Sequence, residues 1–337
     1  MKKFVKKLVF HSFLLSIATV GIILVRYVER THQAMPDLRS LPTNFISNSV
    51  CFNAKLDHAR QGNRFLSAKT LIMGSSMGLN NISGDILTKT FGDRSYNFSS
   101  WGFKPHETYQ VLKQMEGKLS AQRLIIPFNN TEFLNDAKQI DYKGVYDHFF
   151  VANMVSVLHN FFTNFSIDSF VKDWSFRTKY IYFDNAGFTL KFAEDGSVPL
   201  RPKNFIRPLE AKGLIYYDTT GFSKFSRSLD SISRYCDRNH IELTFVYLPW
   251  RKDILTPERI KQVQYVSTYL TAKHHDKFVN LSRLAVDDHD FVDVGHMFQG
   301  GAATVTNALV DSLTTRKTIA NLRKQDTASP RNRLASL

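Results

Sequence analysis

Apolar and polar positions along this chain fall into three regimes. The first is a run without a formal charge, Leu8 to Val25, preceded by Lys2, Lys3, Lys6 and Lys7. At ~1.5 Å per residue, a helix over that run just spans the apolar core of a bilayer. The second regime, residues 26–67, is mixed and polar, carries Pro36 and Pro42, and reads as a stalk and entry segment. The third starts at residue 68, where short apolar runs alternate with stretches of helical period. Thr70 to Met73 reads as a strand, Ile82 to Phe91 as a short helix, and Tyr96 to Phe98 as a second strand. Lys104 to Leu119 reads as a helix, with Pro105 in its first turn and Tyr109, Leu112 and Met115 on one face. Arg123 to Phe128 is a third strand whose continuous apolar run suits burial on both faces.

Regularity lapses over residues 137–215. An aromatic-rich helical stretch, 145–174, is followed by hairpin-like sequence around Asp184-Asn185-Ala186-Gly187 and Glu194-Asp195-Gly196. This reads as an insertion, with Phe149, Phe150, Phe161, Phe162 and Phe165 as a packed cap. The pattern resumes at Thr220 with a helix carrying Phe222, Phe225, Leu229, Ile232 and Tyr235. A strand (Ile241 to Leu248), a helix (Pro257 to Lys273), a short strand (Phe278 to Leu281) and a closing helix (Ala302 to Leu313) follow. Residues 317–337 read as a basic, disordered tail. The expectation is therefore an α/β domain over residues 68–316, three layers deep, with a mostly parallel sheet covered on both faces. Sites in such sheets gather at the carboxyl ends of the strands.

Charge and cysteine usage refine this picture. The formal net charge of +14 favours anionic partners such as phospholipid headgroups or an acidic polysaccharide. With no zinc-finger, helix-turn-helix or basic-aromatic signature, nucleic acid is not expected as a partner. The four lysines before Leu8 keep residues 1–7 cytoplasmic under the positive-inside rule, which places everything after Arg26 outside the cytoplasm. A cleaved signal peptide is the rival to this signal anchor, but Arg26-Tyr27-Val28-Glu29-Arg30 offers no prompt small-x-small site. Cys51 and Cys236 are the two cysteines. They read as isolated thiols or one incidental disulfide, and without a C-x-x-C neither zinc nor redox chemistry is expected of them.

Candidate chemistry enters with two distant segments, Gly74-Ser75-Ser76 and Asp293-Val294-Gly295-His296. The serines stand where an apolar strand breaks into a turn, and an Asp and a His three apart can both serve one serine. A serine hydroxyl must lose its proton as it attacks. His296 is the proposed base, Asp293 the group that fixes its tautomer, and Ser76 the nucleophile. Two blocks lie between: Asn97-Phe98-Ser99-Ser100-Trp101-Gly102 and Ile125-Ile126-Pro127-Phe128-Asn129-Asn130. Each is weak alone: Ser75 and Ser76 also suit a helix cap, Gly102 an ordinary turn, and Asn129 to Glu132 a helix start. Their order is the signal.

In these four blocks the chain resembles the SGNH (GDSL-type) hydrolase superfamily, over roughly residues 68–316. Ser76 matches the family's nucleophile, Gly102 its glycine, Asn129 its asparagine, and Asp293 with His296 its D-x-x-H. Two departures stand out: Gly-Asp-Ser-Leu is Gly-Ser-Ser-Met here, and Gly-x-Asn-Asp is Pro127-Phe128-Asn129-Asn130, which leaves Asn130 as an alternative to Asn129. The resemblance implies a flavodoxin-like fold, a Ser76–His296–Asp293 triad, and an oxyanion hole from the Ser76 and Gly102 N–H groups and the Asn129 amide.

With the anchor, it further resembles membrane-anchored envelope-polysaccharide acylation proteins of the alginate O-acetylation and teichoic acid D-alanyl transfer type. That implies a bacterial cytoplasmic-membrane protein with a periplasmic or extracellular domain. It also implies O-acyl esterase or acyltransferase activity on an envelope polysaccharide, beside a multispanning membrane O-acyltransferase. A catalytically silent scaffold or glycan-binding partner is one alternative, and a membrane-surface lipase or lysophospholipase another. No cofactor and no metal is expected: Asp287-Asp288-His289-Asp290 and His274-His275 both read as solvated segments.

Overall fold

The computed structural model describes residues 2–32, 48–133, 145–150, 192–200 and 219–328. Its helices, in chain order, are α1 (Lys2–His32), α2 (Asn48–Arg60), α3 (Arg64–Ser67), α4 (Ser76–Asn81), α5 (Gly84–Phe91), α6 (Pro105–Gln114), α7 (Val145–Phe150), α8 (Thr219–Arg238), α9 (Pro257–His274) and α10 (Gln299–Ala328). Five strands, β1 (Thr70–Ile72), β2 (Ser95–Asn97), β3 (Arg123–Phe128), β4 (Glu242–Tyr247) and β5 (Phe278–Asn280), form one parallel sheet in the order β2-β1-β3-β4-β5. Leu71 lies between Tyr96 and Leu124, and Val246 pairs with Val279.

Alternation along the strands divides the core in two. Leu71, Leu124, Ile126, Phe128, Phe245 and Phe278 point to one face, where α2, α6, α8 and α9 cover them. Ile72, Ile125, Val246 and Val279 point to the other, against Met77 of α4, Leu87 of α5 and Val305, Leu309 and Leu313 of α10. Each fully buried aliphatic side chain contributes about 1.5–3 kcal/mol over its exposed state, so a strand filled on both faces holds firmly. This is why these strands read as continuous apolar runs.

The order of strands fixes the location of the cleft. From β1 the chain steps outward to β2 through α4 and α5 on one face. From β2 it crosses back over β1 through α6 on the other face, then proceeds to β3, β4 and β5. Right-handed crossovers require that change of face. The reversal falls between β1 and β3, and the crevice at their carboxyl ends is where such sheets bind ligands. Ser76 follows β1 and Asn129 follows β3.

Several elements depart from expectation. The segment read as stalk and entry supplies α2, whose Cys51, Phe52, Leu56 and Ala59 are buried together with Lys55 and His58. A polar buried face hides the helical signal there. Gly74-Ser75-Ser76 reads as a turn and the next helix as starting at Ile82, yet Ser76–Asn81 already form α4, with Ser75 as its cap. The closing helix runs on to Ala328 instead of giving way after residue 316, through good helix formers such as Arg323 and Lys324. His274 is not solvated: it is buried at the end of α9, bonded to Asp230 at 3.0 Å and edge-on to Phe245. Of the insertion, α7 and the turn at residues 193–197 are described. Phe149 packs on Phe65 while Phe150 is exposed, and Phe161, Phe162, Phe165 and the 184–187 hairpin lie outside the described residues.

α1 is long and apolar enough to cross a membrane, over Lys3–Ile22. Its large apolar side chains, Phe4, Phe10, Phe13, Leu15 and Ile22 among them, are exposed. Ser16 and Thr19 return their hydroxyl protons to the carbonyls of Ser12 and Leu15. A hydroxyl on an otherwise apolar helix is satisfied in this way.

Candidate active site

The first segment of the site is the exit from β1. Met73 N–H still pairs with the Ile125 carbonyl at 3.0 Å, and Gly74 then passes so close to β3 that a Cβ there would stand 2.8 Å from Pro127 O. Ser75, in extended backbone, accepts the Met77 N–H at 3.1 Å and caps α4. The capping role therefore falls to Ser75, leaving the Ser76 hydroxyl for other chemistry. That hydroxyl lies 2.8 Å from His296 Nε2.

The second segment is the loop before α10. Asp293 Oδ1 accepts the N–H groups of Gly295 (2.9 Å) and His296 (2.8 Å), which folds the three-residue spacing into a tight turn. Its other oxygen, Oδ2, is 2.7 Å from His296 Nδ1. A carboxylate can only accept, so Nδ1 carries the proton and neutral His296 presents Nε2 as an acceptor to Ser76. Burial works against charge on His296, but the Asp293 charge and hydrogen bond, with Glu132 adding to them, outweigh it and hold the imidazole above its ordinary value. Burial likewise pushes Asp293 up, yet the His296 charge, its hydrogen bond and the two backbone N–H groups leave the carboxyl below its usual range.

This turn is anchored from outside. Asn81 donates Nδ2 to Gly295 O at 2.7 Å and accepts Met297 N–H at 2.9 Å, tying the His296 loop to the helix that carries Ser76. Arg251, just past β4, donates its N–H to Val294 O at 3.2 Å.

The two intermediate blocks supply the walls. Ser100 N–H pairs with Gly74 O at 3.0 Å, which presses the Trp101–Gly102 turn against the first segment. Gly102 takes φ +64°, a conformation that favours glycine. Asn97 donates Nδ2 to Gly78 O and Ile82 O, securing α4 to β2. The paired asparagines separate. Asn129 is wholly buried, and its Nδ2 lies 2.7 Å from the Met77 sulfur and 3.2 Å from where a Gly295 Cβ would stand. Asn130 instead accepts the Tyr247 hydroxyl at 2.5 Å, on the side of β4. Ser76, His296 and Asp293 are thus brought together with Asn129 beside them, and Asn130 is directed elsewhere.

Three further residues shape this site without having been given a role from the sequence: Asn81, Asn97 and Glu132. Asn81 carries no motif, because its partners lie more than two hundred residues along the chain, and Asn97 opens a recognised block but acts through Gly78 and Ile82. Glu132 did carry a signal. It stands three residues after Asn129, the spacing of a capping box, and its Oε2 accepts the Asn129 N–H at 2.8 Å.

Other candidates lie apart. Asp287 Oδ1 caps the turn Asp288–Asp290 by accepting His289 N–H at 2.8 Å, a structural use of that acidic cluster. Cys51 and Cys236 are both free and buried, and Cys51 receives the Ser100 hydroxyl proton at 3.3 Å. Compared with the models of known protein families and with curated proteins, the chain matches none.

Proposed function

We propose that the chain is a membrane-anchored, extracytoplasmic serine O-acyl esterase or acyltransferase of the SGNH type. It acts on a cell-envelope polysaccharide through a Ser76 acyl-enzyme. The observation that carries this reading is the unbroken hydrogen-bond chain from Asp293 through His296 to Ser76. As Ser76 Oγ attacks the acyl carbonyl carbon, its proton passes to His296 Nε2, and Asp293 supports the imidazolium. Collapse of the tetrahedral adduct breaks the ester bond, and the departing alcohol takes that proton. Water, or a sugar hydroxyl, then attacks the acyl-enzyme by the same route in reverse.

The developing oxyanion is held by the Ser76 N–H, the Gly102 N–H and the Asn129 amide. Glu132 already occupies the Asn129 backbone N–H, so the side chain is the donor this block offers. A thioether is a weak acceptor, and turning the amide from Met77 to an oxyanion therefore sacrifices little. Losing one such donor typically slows turnover about 10²–10³-fold.

α1 supplies the anchor and the lysines before it set the topology, with residues 1–7 cytoplasmic and the catalytic domain outside the bacterial cytoplasmic membrane. The net charge of +14 suits an anionic polymer, and a multispanning membrane O-acyltransferase is the partner expected beside it. A second reading, a silent scaffold that binds glycan or organises the acyltransferase, draws on the complete burial of Asn129 and its engagement with Met77.

Hydrolysis of p-nitrophenyl acetate by the chain, compared with its Ser76→Ala and His296→Ala variants, separates the two. Turnover in the parent that both substitutions abolish, with the fold intact, is expected. Turnover unchanged by either substitution, or acylation in cells that survives both, favours the scaffold.

A further inference from the structure

Behind the triad lies a carboxylate that the proposed chemistry does not use. Glu132 sits in the turn that follows β3 (Asn130–Phe133) and is only 6% exposed. One of its oxygens accepts the Ser75 hydroxyl, and the other accepts the Asn129 N–H at 2.8 Å. Ser75 Oγ in turn accepts the Met77 N–H. A single side chain therefore joins the residue before the nucleophile to the residue that offers the amide donor. These two come from different strands, β1 and β3, on either side of the crevice where the sheet reverses. A buried carboxylate without partners would cost several kcal/mol, so these bonds also explain why an acid is tolerated here.

We infer that Glu132 is a positioning residue of the proposed Ser76–His296–Asp293 site, fixing Ser75 and Asn129 across the crevice and adding a second negative charge beside the Ser75–Ser76 segment that faces the imidazole. The inference rests on the triad reading. As the proton leaves Ser76, the charge that appears on His296 is met by Asp293 directly and by Glu132 at longer range. Among the groups that bear on His296 are Asp293 from its own loop and Glu132 from the turn after β3. On the β4 side, Tyr247 donates to Asn130, and the Arg251 guanidinium is paired with Asp253 at 2.9 Å. Both carboxylates thus favour the protonated imidazole, and Glu132 accounts for the smaller share.

The test uses the full-length chain in detergent, with Glu132→Gln, Glu132→Asp and Ser75→Ala. A fluorophosphonate probe reports the rate of Ser76 modification against pH. Histidine-selective NMR, assigned with His296→Ala, reports the His296 titration whether or not the probe reacts. Glu132→Gln is expected to slow labelling about 10–100-fold, the scale of a small misplacement of reacting groups, and to move the His296 midpoint to lower pH. Glu132→Asp keeps the charge but not the reach: labelling slows while the midpoint stays near that of the parent. Ser75→Ala is expected to slow labelling several-fold, on the order of one lost hydrogen bond, with the midpoint unmoved.

A folded Glu132→Gln chain whose His296 midpoint does not move overturns the electrostatic half of the inference. If that chain fails to fold, Ser75→Ala with parental labelling overturns the positioning half. A parent that never labels, combined with a midpoint that does move, would instead sink the acyl-enzyme reading and leave the Glu132–His296 coupling standing.

Discussion

At the scale of single residues, the pair Asp293–His296 has opposite consequences for stability and for chemistry. His296 is held above its ordinary value, so its contribution to stability is complete below the unfolded pKa and is lost as pH rises through the folded one. Asp293 is held below its ordinary value, so its contribution is present above that value and is lost as pH falls through the folded pKa. Catalysis needs His296 neutral. Ser76 labelling is therefore expected to rise with pH on the alkaline side of 6.5, the ordinary imidazole value. Over that same interval, the melting-temperature gap between the parent and His296→Ala should narrow. A gap that widens there would reverse the assigned charge states. Asp293→Asn removes the acceptor that fixes the tautomer and should reduce labelling about 10⁴-fold with little change in fold.

The convergence of Ser76, Asp293 and His296 was legible in the sequence because Ser76 stands where an apolar strand breaks and because Asp293 and His296 are three apart, in order after the other blocks. Which asparagine would stand beside them was not. Asn129 and Asn130 have the same chemistry and adjacent numbers, and only the packing of Met77 and Tyr247 separates them.

At the scale of elements, strands were the easiest to read and α2 the hardest. Arg123 to Phe128 was visible as a strand because burial on both faces removes polar interruptions. α2 was hidden because its buried face contains Lys55. That amine is fully buried, donates to Asn97 O at 2.9 Å and to Gly196 O, and stands 4.2 Å from the centre of the Phe192 ring. It thereby staples three elements: α2, the carboxyl end of β2, and the turn at residues 193–197, whose Asp195 O accepts Asn97 N–H at 2.7 Å. Gly196 has no room to vary there, with φ +80° and a Cβ position 2.5 Å from Asn97 O. Gly196→Ala is expected to destabilise the protein by about 1–3 kcal/mol in chemical denaturation; an unchanged midpoint would show the turn to be free of the sheet.

Burial lowers the Lys55 pKa to about 7, with Cys51 and Asp195 opposing that fall. Between that value and 9, the ordinary thiol value above which Cys51, pushed up by burial, begins to count in the opposite sense, the unfolded chain binds a Lys55 proton that the folded chain does not. Stability should therefore increase with pH across this interval. Lys55→Met should flatten the slope while lowering stability through two lost hydrogen bonds. A slope that persists in Lys55→Met would assign it to another group.

At the scale of the whole molecule, the sheet order and the site agree without any side chain being consulted. The reversal between β1 and β3 leaves one crevice at the carboxyl edge, and the serine and asparagine blocks emerge on its two sides. Alternating strand and helix patterns made the parallel sheet legible. The order of its strands was not, because crossover direction leaves no mark on local periodicity. The large apolar side chains of α1 from Phe4 to Ile22 are exposed, so deleting residues 1–25 should move the chain from the detergent to the aqueous phase of a Triton X-114 partition. A truncated chain that still enters the detergent phase would place the membrane affinity elsewhere.

The hydrogen bond between Ser76 and His296 spans 220 positions of sequence. Synthesis proceeds from the amino to the carboxyl end, so Ser76 emerges 220 residues ahead of His296. Until the loop at 293–296 has emerged and Asn81 has clasped it, Ser76 has no imidazole beside it. On the proposed reading, a nascent or truncated chain therefore does not form an acyl-enzyme. On the proposed reading, reactivity at Ser76 is expected to appear only once this long-range contact has formed, and a covalent serine probe applied during refolding would time it.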